Sequence, residues 1–229
     1  MLYTEEAVRA NIRNREGRRV FYQGKGDTLT PGARDWLLRE KVQILPAEEA
    51  RQSRYRLPGG GYLEEKPEHM THLNAETLVP KTHPRIVFRG ALDTLEAELI
   101  LAQLAAPQLT QKLEEILTLA RKIIRCDVLE EPLEQEKLCG LTQEEQRRRS
   151  HFPQEYYGVA HFMPSAADGD AMARLNRARC AAREAELRAV EAFSDREGNP
   201  VRPDILRCMN RMSSMLYILM VELKKEMIV

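Results

Sequence analysis

The feature that leaves this chain least choice is the apolar spacing of its second half. Residues 86–105 place Leu92, Leu95, Leu99 and Ala102 three or four positions apart, and residues 108–126 continue with Leu113, Ile116, Leu117, Ala120 and Ile124. Such spacing lays apolar side chains along one face of an α-helix; a strand, whose faces alternate at every residue, would scatter them. The same reasoning predicts helices over 142–150, 168–194 and 203–226. The last begins at Pro203, whose missing N–H is no loss in a first turn. Helices without intervening strands bury their stripes against one another, so the expected fold is mainly α, built on a five-helix bundle.

The first quarter reads differently. Thr4 is placed to cap a short helix in "TEEAVRANIRN", and Thr30 followed by Pro31 opens another in "TLTPGARDWLLREK". "RRVFYQ" and "VQILP" are strand candidates. Residues 1–55 are therefore expected to form a small α+β module, which buries little surface by itself. "RLPGGGYLEEKPEH", residues 56–69, holds two prolines and three consecutive glycines and reads as a linker. Residues 70–229 make up the helical domain.

Thirty-five Lys and Arg balance thirty-five Asp and Glu, so no global field favours nucleic acid or a membrane surface. No apolar run approaches the roughly 18–20 residues of a membrane span. "MLYTEEAVRAN" lacks a basic segment followed by an apolar one, so no secretory leader is expected. Cys126, Cys139, Cys180 and Cys208 are far apart and include no C-x-x-C. That pattern suits reduced thiols in a cytoplasmic protein.

Three polar segments stand out against the bundle. Arg179, Arg183 and Glu186 fall at i, i+4 and i+7, so two guanidiniums and a carboxylate share one helical stripe. Taken alone, such a stripe is usually a solvated charged face. "THLNAETLVPKTHPRIVFRGALDTLEAE", residues 71–98, gathers Thr71, His72, Lys81, His83, Arg85 and Arg89 ahead of a helix containing Asp93. That arrangement suits a phosphate, although no G-x-x-x-x-G-K-[ST] loop is present. In "NRMSSMLYILM", Asn210, Ser213, Ser214 and Tyr217 form a polar stripe beside Met209, Met212, Leu216 and Leu219, which periodicity assigns to the core.

Taken in chain order, these segments resemble a family. Lys81, Pro84-Arg85, Gly90 and Asp93, then Arg179-x-x-x-Arg183-x-Ala185-Glu186, then Asn210-Arg211-x-Ser213, resemble the corrinoid (cob(I)alamin) adenosyltransferases of the PduO-type helical-bundle class. "THLNAETLVPKTHPR", "IIRCDVLEEPL", "CGLTQEE", "RRRSHFP" and "RPDILRCMNRMSS" are similar to its ethanolamine-utilisation, EutT-type branch. The resemblance implies an enzyme that binds ATP with Mg²⁺ and a reduced corrinoid. It would transfer the 5′-deoxyadenosyl group of ATP to cob(I)alamin, forming adenosylcobalamin for ethanolamine ammonia-lyase and releasing triphosphate. A leaving triphosphate carries about four negative charges, which preorganised cations must hold in line. The resemblance gives that work to Arg183 and Lys81, with Thr71, His72 and Arg85 also around ATP. Glu186 would orient Arg183 or help position the metal, and Asn210 would hydrogen-bond the nucleoside.

On the corrinoid side, the resemblance implies that Asp93 pairs with Arg179 at the edge of the site. It also implies a bulky side chain that displaces the lower ligand of cobalt, because cobalt(II) resists reduction while that ligand stays. "YYGVAHFMPSAADGD" offers Phe162 or His161 for that place. Two departures stand out. The glycine-rich phosphate loop of the PduO-type class is reduced to "MTHLNAETL", and no cysteine precedes Cys126 to supply the Cys-Cys-x-x-Cys motif of some ethanolamine-branch enzymes. No transition-metal site is therefore expected. Family members are usually trimers with ATP between subunits, which implies a homo-oligomer in the cytoplasm or within a bacterial microcompartment. Two other readings use the same residues: a non-catalytic corrinoid- or ATP-binding carrier, and a microcompartment interaction protein docked through its N-terminal module.

Overall fold

The computed structural model describes residues 1–15, 17–50 and 55–228 and divides into two units, Met1–His83 and Pro84–Val229. In the first unit, β1 (Leu2–Tyr3), α1 (Glu5–Ala10), β2 (Arg13–Arg15), β3 (Arg18–Gln23), β4 (Thr28–Leu29), α2 (Pro31–Arg39) and β5 (Gln43–Pro46) follow in order. The hydroxyls of Thr4 and Thr30 accept from the amides of Ala7 and Ala33, satisfying donors that a helix start leaves open. Val8, Phe21, Ala33, Trp36 and Leu37 pack into a small core. Both expected strands form, and β3 and β5 pair in parallel. Glu16 and residues 51–54 of the expected 1–55 module lie outside the described residues.

The stretch expected to be a linker belongs to the sheet instead. β6 (Tyr55–Arg56) and β7 (Tyr62–Leu63) pair antiparallel, and β7 runs parallel to β2, giving the order β5-β3-β2-β7-β6. The glycine run makes their turn. Gly60 and Gly61 hold φ at +90° and +86°, and a Cβ on Gly61 would stand 2.7 Å from the Ile12 carbonyl oxygen. Glycine is needed there for a left-handed backbone and a close approach, not for looseness. A second hairpin joins β8 (Met70–His72) to β9 (Leu78–Pro80). The first unit thus runs to His83, correcting the expected boundary at residue 70.

The second unit is mainly helical: α3 (Pro84–Ala105), α4 (Thr110–Leu129), α5 (Gln143–His151), the short α6 (Pro153–Tyr157), α7 (Gly169–Ala192) and α8 (Pro203–Ile228). Leu92, Leu95, Leu99, Leu113, Ile116, Met209 and Met212 all enter one core, as their spacing requires. Packing runs α4 on α3, α3 on α7, α7 on α8 and α8 on α5. The buried face of α7 is largely alanine, at 178, 181, 182, 185 and 189, which lets its neighbours approach closely. A buried carboxylate ties α3 to the end of α4. Asp127, fully enclosed, accepts from Arg85 Nε at 2.7 Å and Arg89 Nε at 2.6 Å. Among the described residues no helix is long and apolar enough to cross a membrane.

Candidate functional site

A cleft of about 390 Å³ opens where α5, α7 and α8 meet the segment joining α6 to α7. Arg179 and Arg183 reach it from α7, and Ser213, Ser214 and Tyr217 from α8. Ser150 and His151 at the end of α5 line it too, as do His161, Phe162 and Met163, which form an aromatic-rich wall. Helical phase explains the convergence. Ser213, Ser214 and Tyr217 sit on the α8 turn flanked by buried Met212, Met215 and Leu216, so burying the methionines turns the polar stripe toward α7 and α5.

Tyr217 organises the wall. The His161 ring stacks on it, with centroids 5.6 Å apart and planes 14° apart, and Phe162 lies 6.3 Å away at 29°. The Arg179 guanidinium sits 5.5 Å from the same ring, a cation–π arrangement. His161 Nε2 is 3.0 Å from the His151 carbonyl oxygen, and Nδ1 is 2.8 Å from the Tyr217 hydroxyl. A carbonyl only accepts, so Nε2 carries the proton; in the neutral ring Nδ1 then accepts from the tyrosine O–H. With both nitrogens engaged, His161 offers no lone pair to a metal, whereas Phe162 presents a half-buried ring to the cleft. Burial pushes the Tyr217 phenol above its usual value, against the opposing pull of the Phe162 backbone amide and the Arg179 charge.

Beside the cleft, Asn210 Nδ2 donates to Glu186 Oε1 at 2.6 Å, and Arg211 donates to Asn210 Oδ1. These two contacts fix which way the amide points and leave it one N–H and one lone pair for a ligand. Glu186 holds Asn210, and no ion pair joins it to Arg183 among the described residues. The surroundings are cationic. Burial lowers the Arg211 pKa, and the like charges of Arg147 and Arg207 lower it further, while Glu186 opposes them. Arg148 faces Glu155 and Arg149 faces Glu145. Arg147, Arg183 and Arg207 have no carboxylate partner among the described residues. A bound anion would relieve this imbalance.

Other residues singled out in the sequence fall elsewhere. Arg85 is engaged by Asp127 and lines a second cleft with Arg202 and Asp204. Asp93 is exposed on α3, and no ion pair connects it to Arg179 within the described residues. Thr71 and His72 belong to β8, and Lys81 follows β9 with its amide donating to the His69 carbonyl, so all three lie in the first unit. Sequence reasoning placed Tyr217 in a polar stripe without its partner, since His161 lies 56 residues away. Arg147 was visible only within the "RRRSHFP" motif, and Arg207 carried no signal of its own. Among the described residues no group of three or more His, Cys, Asp or Glu side chains is placed to hold a metal ion.

Residues 61–223 match the family model for cobalamin adenosyltransferase. That covers well over half of the chain, which belongs to this family. Its relatives include the corrinoid adenosyltransferases EutT of Salmonella typhimurium (strain LT2) and of Escherichia coli (strain K12), each 38% identical over 157 residues. The alignment covers 68% of this chain and 59% of each relative, so the match spans about three-fifths of their length.

Proposed function

We propose that this chain is an ATP:corrinoid adenosyltransferase of the ethanolamine-utilisation type, supplying adenosylcobalamin to ethanolamine ammonia-lyase. The observation that carries the reading is the cleft itself. An aromatic wall at Phe162 faces two arginines of α7, and the fixed Asn210 amide stands beside it. In the reaction, cobalt(I) donates an electron pair to the 5′ carbon of ATP, the carbon–oxygen bond breaks, and that bond's pair departs with triphosphate. Arg183 neutralises the leaving group; the phosphate roles of Lys81, Thr71, His72 and Arg85 rest on the resemblance alone. Glu186 positions Asn210 for the nucleoside. Phe162 excludes a lower ligand from cobalt, with His161 fixed beside it.

Mg²⁺ accompanies ATP in this account, held by phosphate oxygens and water with few protein ligands, as is usual for that ion. The protein needs no transition metal to fold. In this reading α3, α4, α5, α7 and α8 make up the five-helix bundle of the class, and the first unit is an accessory module. We further propose a homo-oligomer, a trimer, acting in the cytoplasm or inside a microcompartment. Support comes from α3, where Val87, Gly90, Thr94, Ala97, Leu101 and Leu104 make an exposed, uncharged stripe at alternating three- and four-residue steps. Asp93 flanks that stripe, where it would meet Arg179 of another copy. The test is an anaerobic assay with ATP and chemically reduced cobalamin. ATP-dependent loss of the cobalt(I) absorbance is expected; ATP and corrinoid binding without that loss would leave a carrier instead.

A further inference from the structure

We infer that the hydroxyl of Tyr217 is a positioning device that sets the Phe162 ring at the cleft, an inference resting on the adenosyltransferase reading above. Residues 158–165 form no helix or strand, so backbone pairing does not hold this segment. Its ends are tied by the Gly158 amide on the Gln154 carbonyl and by Ser165 on Asp168, and Lys224 lies 5.6 Å over the Phe162 ring; its middle is held by a chain of side-chain contacts anchored on α8. The Tyr217 O–H donates to His161 Nδ1, and His161 Nε2–H donates to the His151 carbonyl at the end of α5. The hydroxyl therefore holds His161, the residue next to Phe162, while the tyrosine ring lies 6.3 Å from the Phe162 ring, and a rigid helix fixes both.

The ring of the same tyrosine does separate work. It carries the Arg179 guanidinium at 5.5 Å and the stacked imidazole at 5.6 Å, and neither contact needs the oxygen. Hydroxyl and ring can thus be separated by mutation. Tyr217→Phe should free the 158–165 segment while leaving Arg179 in place. Tyr217→Ala should disturb both.

The experiment combines backbone hydrogen exchange on the ligand-free full chain with measurements on the same proteins given ATP and cob(II)alamin. In Tyr217→Phe, exchange across 158–165 should accelerate while α8 keeps its protection. The affinity for ATP should stay within about twofold, and kcat should fall about tenfold, the scale of one hydrogen bond. The fraction of bound cob(II)alamin that has lost its lower ligand, read by electron paramagnetic resonance, should fall with kcat. His161→Ala should give the same phenotype, and the double variant should be no worse than either. Unchanged exchange in Tyr217→Phe overturns the inference. So does faster exchange with kcat and the axial-ligand fraction both unchanged. A wild-type protein that forms no adenosylcobalamin instead overturns the adenosyltransferase reading, and with it the role given to Phe162.

Discussion

Arg179 and Arg183 are one turn apart on α7 and have different surroundings. Arg179 lies over the Tyr217 ring, while Arg183 is exposed and has no ion-pair partner among the described residues. Removing Arg183 should therefore leave the fold alone and remove only the contact proposed to the leaving group. Arg183→Ala is expected to lower kcat/KM by about 10²–10³, equivalent to about 3–4 kcal/mol of transition-state stabilisation, with an unchanged melting temperature. Near-normal turnover in a folded variant would take Arg183 out of the site. Asp204 carries a pH effect instead. Burial opposes its charge, but Arg202 and the Leu133 and Ile205 amides outweigh burial and hold its pKa at about 2. An unfolded aspartate titrates near about 3.9, so between those values the unfolded chain binds more protons and stability rises with pH. The contribution is complete above about pH 4 and is lost as pH falls toward about 2. Asp204→Asn should flatten the decline of the urea midpoint over that window; a decline as steep as the wild type's would mean the Arg202 contact adds nothing.

At the scale of elements, the long helices were legible to within three residues because burial of a stripe and helical phase are one constraint. The glycine run was not, since composition alone cannot separate a linker from a tight turn. What decides is the close approach of Gly61 to the Ile12 carbonyl, a contact made across the sheet. Gly61→Ala should accordingly destabilise the first unit by about 1 kcal/mol or more, from the left-handed backbone together with the clash. Trp36 is the single tryptophan and lies in the first unit's core, so its fluorescence follows that unit. Far-UV circular dichroism is dominated by the helical unit. A tryptophan transition at unchanged urea concentration would contradict the turn's role. Long-range pairings were hidden for a related reason. The Arg85–Asp127 pair is one case, since the two residues are 42 apart and meet only once α3 and α4 pack.

Across the whole molecule, equal numbers of positive and negative residues conceal an uneven distribution. Arg147, Arg183, Arg207 and Arg211 lie on the helices around the cleft with little carboxylate to offset them. Net charge excluded a global field, yet a local one became visible only with the fold. The exposed stripe of α3 belongs to this scale too. Leu101→Glu with Leu104→Glu should shift the protein to a smaller species by light scattering, and an unchanged mass would remove α3 from the subunit contact. The proposed reaction joins the adenosine 5′ carbon to cobalt in this cleft and expels an intact triphosphate. A single anaerobic turnover of the full chain with ATP, Mg²⁺ and cob(I)alamin, quenched and analysed for both products, tests it most directly. Adenosylcobalamin and inorganic triphosphate are expected in equal amounts. Diphosphate with phosphate, or unreacted corrinoid beside intact ATP, would contradict it.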